Sequence, residues 1–225
     1  MSEHLRPHPT QVREKRNILL KYSFRSRTTD YYYGFDFKNY CDLEFHNVTK
    51  QPTKIYPGLK GALEYVKKPV IFFTCYDVGP NEILNAFVRH VVCCMAVREG
   101  EGITVYMFDM RNLKDISAGF KEDMEKQLSE FANRPVKIVN AACTHRSNCV
   151  YLQRFKGDTE MGWCISWALL FLDYLTANPD IIHYSPNEKE RTFAKLYTNL
   201  DKHLSKPRSN HFIEAYYTRL LDLSP

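Results

Sequence analysis

Short apolar runs in the middle of the chain have the composition of β-strands. Val70–Tyr76 is apolar almost throughout and rich in β-branched and aromatic residues, which is typical of a buried strand. His90–Val97 and Ile103–Met110 are similar, and the glycine-containing segment between them predicts that they pair as a β-hairpin. Val136–Ala142 predicts one more strand after a proline. We therefore expect this part of the chain to form a sheet.

Helical spacing appears between these strands. The segment Ser117–Asn133 places apolar residues on one helical face. These residues are Phe120, Met124, Leu128 and Phe131. Gly58–Lys68 predicts a short helix that Pro69 ends, because proline cannot donate the hydrogen bond that a helix needs. Asn81–Phe87 predicts another short helix, with its asparagine as the N-cap.

The C-terminal third predicts three helices. The first begins near Cys164 and ends before Pro179, and the others cover roughly Asn187–Leu204 and Asn210–Leu221. Interleaved strands and helices indicate an α+β fold, with a central mixed sheet flanked by helices. We expect a basic arm and irregular segment over 1–58, a core over 59–182, and a C-terminal helical extension over 183–225.

The composition is that of a folded protein. Of 225 residues, 44% are hydrophobic and 14% aromatic, which argues against a disordered chain. No apolar run is long enough to span a bilayer, so we expect no membrane association. The N-terminal segment also lacks the apolar core of a signal peptide. We therefore expect the protein to be cytosolic, nuclear or packaged rather than secreted.

The positive charge is concentrated near the N-terminus. The net charge is +5, and residues 1–30 contain seven basic and three acidic residues. A basic arm on a nearly neutral body is suited to contact with nucleic acid or another acidic surface. A solvated terminus without a partner has the same composition.

The seven cysteines do not suggest a disulfide framework, because their number is odd and no export signal is present. Cys143, His145 and Cys149 have a spacing that invites a zinc interpretation. No second pair of ligands accompanies them, and buried reduced cysteines are common. We therefore expect no metal and no cofactor.

Cys164 is a candidate nucleophile because it stands at the start of a predicted helix. There its sulfur would lie near unpaired backbone N–H groups and the positive end of the helix dipole, which favour the reactive thiolate. The alternative is a buried structural cysteine at the start of a core helix.

A cysteine nucleophile needs a nearby imidazole, which in turn needs an acceptor on its other nitrogen. His90 opens the first predicted hairpin strand and Asp109 lies near the end of the second. In a hairpin these two ends are adjacent, so we expect His90 and Asp109 to be neighbours. Each could otherwise be an ordinary polar residue at a strand end.

The order histidine, aspartate at the end of the next strand, then cysteine at a helix start resembles clan CE cysteine proteases. This family includes the SUMO-specific proteases and the adenovirus-type endopeptidases. The residues that carry the resemblance are "HVVCCMAV", "ITVYMFD" and "GWCISWALLFLDYLTANP". The last segment is also similar to protease-like proteins of large DNA viruses.

The resemblance implies a papain-like or adenain-like fold, with Cys164, His90 and Asp109 as the catalytic triad. The family's oxyanion glutamine corresponds at best to Gln153, eleven residues before the cysteine, and valine replaces the family's tryptophan after the histidine. Trp163 would then line the substrate groove.

It also implies an endopeptidase that cleaves after small residues, such as Gly-Gly, in viral structural precursors or ubiquitin-like conjugates. Its partners would be protein or peptide substrates and virion components, in the host cytoplasm, a viral factory or the virion. The alternative is a weakly active or inactive protein with a protease fold that serves as a virion structural or scaffold component.

Overall fold

The computed structural model describes residues 43–46, 53–55, 57–66, 69–81, 86–110, 119–143, 164–203, 212–213 and 215–216. Within them, helices flank a six-stranded mixed sheet with strand order β2-β1-β3-β4-β5-β6. The predicted α+β class is confirmed.

The strands are β1 (Leu43–Phe45), β2 (Lys54–Ile55), β3 (Val70–Asn81), β4 (Ala86–Glu99), β5 (Gly102–Phe108) and β6 (Val136–Asn140). The α-helices are α1 (Pro57–Glu64), α2 (Phe120–Ala132), α3 (Cys164–Ala177) and α4 (Pro186–His203). Two 3₁₀ turns, Ala141–Cys143 and Pro179–His183, follow β6 and α3 respectively.

The centre of the sheet is antiparallel and its flanks contain the parallel pairs. β3 pairs with β4 and β4 with β5 in antiparallel register, so the predicted hairpin is confirmed. β1 lies parallel to β3, and β6 lies parallel to β5 after the crossover through α2. The centre of the sheet thus comes from consecutive strands, and the end of β5 lies beside Cys93 in the middle of β4.

The two faces of the sheet build separate apolar layers, because side chains alternate along each strand. In β4, Val91, Cys93 and Met95 face the layer that contains α3 and α4. Val92 and Cys94 face the layer that contains α1 and α2. The sheet is therefore covered on both sides, and α3 crosses the face that also carries α4.

Helix α4 is part of the core. Phe193 and Tyr197 are fully buried, and the Phe193 ring packs edge-on against Phe108 of β5 with centroids 4.8 Å apart. Tyr197 stacks on Phe171 of α3 at 5.4 Å. The helical segment after residue 183 thereby contacts both the sheet and α3.

We expect Phe193→Ala to lower the free energy of unfolding by about 3 to 5 kcal/mol, because it leaves a cavity between α4 and β5. Lys195→Ala on the exposed side of the same helix is the control, with an expected change below about 0.5 kcal/mol. Urea denaturation followed by circular dichroism measures both. Equal stability of the two variants would contradict the packing of α4 into the core.

Two expectations about elements were wrong. Asn81 ends β3, while Ala86 and Phe87 begin β4, so both ends of the predicted helix Asn81–Phe87 are strand, and residues 82–85 lie outside the described residues. The register shift between Asp77 and Pro80 lets the β3–β4 pairing continue to this end of the strands. The N-terminal segment predicted to be irregular contains β1 and β2, which pair with each other and extend the sheet.

One described cysteine is in a disulfide, although the sequence predicted no disulfide framework. This residue is Cys75 in β3. Cys93, Cys94 and Cys164 are not in disulfides.

Among the described residues, no helix is both long and apolar enough to cross a bilayer.

Candidate active site

His90 and Asp109 form a buried pair at one end of the sheet. His90 Nε2 lies 2.8 Å from Asp109 Oδ1, and the side chains are 3% and 0% exposed. The cause is the unequal length of the hairpin strands. The β4–β5 pairing ends at Cys93 and Phe108, while β4 begins already at Ala86, four residues before His90. Asp109, the next residue after β5, therefore lies beside the unmatched part of β4.

Cys164 is the third member of the cluster. It is the first residue of α3, its side chain lies in the apolar layer under that helix, and the residue is 9% exposed. Its interaction with His90 is one of the contributions that raise the pKa of that imidazole. Because Nε2 of His90 faces Asp109, Nδ1 is the ring nitrogen left for the thiol. His90 thus interacts with both the aspartate and the cysteine, and these residue types are the ones that a nucleophile, a base and an orienting acid would need.

Two tyrosines hold Asp109 in addition to His90. The Tyr76 hydroxyl donates a hydrogen bond to Asp109 Oδ2. The Tyr197 hydroxyl donates to the backbone carbonyl oxygen of Asp109 at 3.2 Å. Sequence reasoning missed both tyrosines. Tyr76 lies in β3 directly opposite His90, and it could be recognised only if the β3–β4 register were known.

The charge state of His90 depends on its neighbours. Burial by itself lowers the pKa of this imidazole, but the charge of Asp109 and the hydrogen bonds with Asp109 and Cys164 outweigh it and raise the pKa to about 9. His90 is therefore protonated at neutral pH. A protonated imidazole beside a thiol favours the thiolate, so the site is suited to an imidazolium–thiolate pair.

This shift predicts a pH-dependent stability. The pKa of His90 is higher in the folded state, at about 9, than its ordinary value of 6.5, so the folded protein binds this proton more tightly. The stabilisation is fully present below pH 6.5 and is lost as the pH rises through 9. We expect the free energy of unfolding to fall by about 3 kcal/mol across this window.

The measurement is a series of urea denaturation curves between pH 6 and 10 on the wild type and His90→Gln. The difference between the two proteins isolates His90 from the other titrating groups. If the free energy of unfolding of the wild type changes with pH in parallel with that of His90→Gln between pH 6.5 and 9, the raised pKa is contradicted.

Two predicted site residues cannot be placed. Gln153, the candidate oxyanion donor, and Trp163, the candidate groove residue, lie outside the described residues. The zinc-like set also falls outside them, apart from the backbone of Cys143. Among the described residues, the backbone N–H of Cys164 lies in the first turn of α3, where N–H groups have no intrahelical acceptor.

Comparison with known proteins adds little to this geometry. No family model matches the chain, and no curated protein matches it. Two solved structures of the effector protein RavZ from Legionella pneumophila are similar in part. The first has a TM-score of 0.33 and 10% identity, and covers 68% of this chain and 46% of that one. The second has a TM-score of 0.29 and 13% identity, and covers 88% and 70% respectively.

The chain thus spans less than half the length of the first RavZ structure. At these TM-scores the likeness carries no argument about activity, and the candidate site rests on its own residues.

Proposed function

We propose that the protein is a cysteine protease in which Cys164, His90 and Asp109 form the catalytic triad. The observation that carries this proposal is the position of His90. Its imidazole lies 2.8 Å from a buried carboxylate, and the cysteine at the start of α3 is among the groups that raise its pKa. His90 in β4, Asp109 directly after β5 and Cys164 at the start of α3 supply the three groups that thiol hydrolysis needs.

The chemistry is acyl transfer through a thioester. The Cys164 thiolate attacks the carbonyl carbon of the scissile bond, and His90, which holds the proton, gives it to the leaving amine as the C–N bond breaks. Water then attacks the thioester while His90 takes a proton from it, and the thiolate leaves as the acid is released. Asp109 keeps the imidazole oriented and stabilises its positive charge in both steps.

The oxyanion of each tetrahedral intermediate needs donors near the nucleophile. The backbone N–H of Cys164 is suitably placed at the helix start, and we assign the second donor to Gln153 on the family resemblance. One such donor contributes on the order of a hundredfold or more to the rate. Gln153→Ala therefore tests this assignment separately from the triad.

The small exposure of Cys164 bears on the substrate. A thiol whose residue is only 9% exposed is reached most easily by a thin, extended chain. Glycine has no side chain to obstruct such an approach, so we propose cleavage after small residues of the Gly-Gly type. The clan CE enzymes that the sequence resembles act on such sites in ubiquitin-like conjugates and viral structural precursors.

The resemblance to proteases of large DNA viruses likewise supports virion components as partners and a viral factory or virion as the location. Contact of the basic segment 1–30 with nucleic acid is proposed on its charge alone.

One observation favours a second function. Cys164 belongs to the apolar layer with Trp167 and Leu169, as a purely structural cysteine would. The protein would then be a structural or scaffold component with a protease fold, and its His90–Asp109 pair would serve stability alone.

A cleavage panel tests the proposed function. Fluorogenic peptides ending in Gly-Gly, Gly-Ala, Leu-Gly and Leu-Leu before the scissile bond, and ubiquitin-like fusions ending in Gly-Gly, are incubated with the wild type and Cys164→Ala. We expect release after Gly-Gly, a decline with larger residues, and no release by the variant. Release by both proteins, or by neither, would favour the structural function.

A further inference from the structure

The Tyr76 side chain contacts both the candidate base and the candidate acid. Its hydroxyl donates to Asp109 Oδ2, and its ring packs edge-on against the His90 imidazole with centroids 5.1 Å apart and planes at 65°. The β3–β4 register pairs Tyr76 directly with His90, which explains both contacts. The tyrosine is completely buried, so solvent does not compete for its hydroxyl.

The two oxygens of Asp109 therefore have different partners. Oδ1 faces His90 Nε2, and Oδ2 accepts from Tyr76. A carboxylate held through one oxygen can still rotate about its Cβ–Cγ bond, and a second hydrogen bond at the other oxygen fixes its plane. Hydrogen bonds to a charged group are the stronger kind, and groups behind the first contacts commonly orient them in this way.

We propose that Tyr76 is a positioning residue of the active site, whose hydroxyl fixes the Asp109 carboxylate so that Oδ1 stays on His90. This inference rests on the proposed function, in which His90 and Cys164 act together. Tyr76 does not reach the reacting atoms in this scheme. It acts through Asp109, and its ring limits the tilt of the imidazole.

A merely structural tyrosine would also be buried, so the test must separate the hydroxyl from the ring. Tyr76 packs against Phe120 of α2 with centroids 5.1 Å apart, and removing the ring would disturb that layer. Tyr76→Phe keeps the ring and removes only the donor. Tyr106→Phe is the matched control. Tyr106 is equally buried, and its hydroxyl donates to Glu99 at 2.9 Å, not to the triad.

The experiment compares wild type, Tyr76→Phe, Tyr106→Phe and Asp109→Asn in two measurements. The first is the His90 titration midpoint, from NMR of protein with ¹⁵N-labelled histidine assigned by His90→Gln. The second is the rate of Cys164 alkylation by iodoacetamide at pH 6, followed by peptide mass spectrometry. Both report on the folded protein and do not need the natural substrate.

For Tyr76→Phe we expect alkylation to slow by about tenfold, since a hydrogen bond to a charged group is lost. We also expect the His90 midpoint to fall by about one pH unit, because a loosened carboxylate offsets the burial of the imidazole less well. Tyr106→Phe should stay within about twofold of wild type with an unchanged midpoint. Replacing Tyr76 by p-aminophenylalanine, which keeps an N–H donor on the ring, should restore both values.

Each outcome decides the matter. If Tyr76→Phe keeps the wild-type alkylation rate and His90 midpoint while Asp109→Asn lowers both, the role of Tyr76 is overturned and the proposed function stands. Wild-type values in both variants would overturn the proposed function. Equal losses in Tyr76→Phe and Tyr106→Phe, or no rescue by p-aminophenylalanine, would show a packing effect and overturn the inference. If Tyr76→Phe does not fold, the test rests on the protein with p-aminophenylalanine at position 76. A wild-type alkylation rate and His90 midpoint in that protein support the role of the donor, and lower values overturn it.

Discussion

Replacing Cys164 by alanine is expected to reduce peptide hydrolysis to the uncatalysed background, a loss on the order of 10⁵-fold or more. The thiol is the only group in the described cluster that can form the thioester, and neither His90 nor Asp109 can replace it. The fold should survive, because alanine keeps the Cβ and removes one atom from a position that is 9% exposed. Hydrolysis is measured on the Gly-Gly substrates, with folding checked by circular dichroism.

Cys94→Ala is the control for the loss of a buried thiol. Cys94 is completely buried on the opposite face of the sheet, in the layer with α1 and α2. We expect it to lower stability and to leave the rate per folded molecule unchanged. Turnover by Cys164→Ala at the wild-type rate would mean that the nucleophile is another residue, and would remove the basis of the triad.

Replacing Asp109 by asparagine is expected to lower the turnover rate by about 10³- to 10⁴-fold. An amide is neutral and presents either an oxygen or an NH₂ group to the imidazole, so neither the orientation nor the charge of His90 is secured. Burial would then outweigh the remaining interactions, and the pKa of His90 would fall well below about 9. The imidazolium–thiolate pair would no longer be populated at neutral pH.

The variant also loses stability, because Asp109 is fully buried and paired. Asp77→Asn separates this effect from catalysis. Asp77 is 4% exposed in the neighbouring strand, and its Oδ2 faces His46 Nδ1 at 3.5 Å rather than His90. Comparable loss of stability in both variants, with loss of turnover only in Asp109→Asn, is the expected pattern. Full turnover by Asp109→Asn would show that His90 needs no carboxylate.

The three candidate catalytic residues could be selected from the sequence because each depends on local structure. A glycine-containing turn fixes which hairpin ends meet, so His90 and Asp109 could be paired without the rest of the sheet. Cys164 followed from the start of an apolar helical segment. The structure adds the interaction of His90 with Cys164, which no spacing in the sequence encodes.

The elements that were missed depend on distant pairing. Leu43–Phe45 is a three-residue strand, too short for an alternating pattern, and it is a strand because β3 lies beside it. Asn81–Phe87 has apolar residues at helical spacing, yet its two ends continue the pairing of β3 with β4. The same register sets Tyr76 opposite His90, and for this reason the tyrosine was not recognised.

The most direct test of the triad is the pH dependence of Cys164 alkylation by iodoacetamide in wild type and His90→Gln. The completely buried Cys93 and Cys94 serve as internal references for thiols that the reagent does not reach in the folded protein. If His90 holds a proton beside the thiolate, Cys164 of the wild type reacts at a nearly constant rate from pH 8 down to about pH 6. In His90→Gln the rate should fall about tenfold per pH unit below the ordinary thiol pKa near 8.5. A wild-type profile that rises only through that ordinary range, and that His90→Gln leaves unchanged, would contradict the triad.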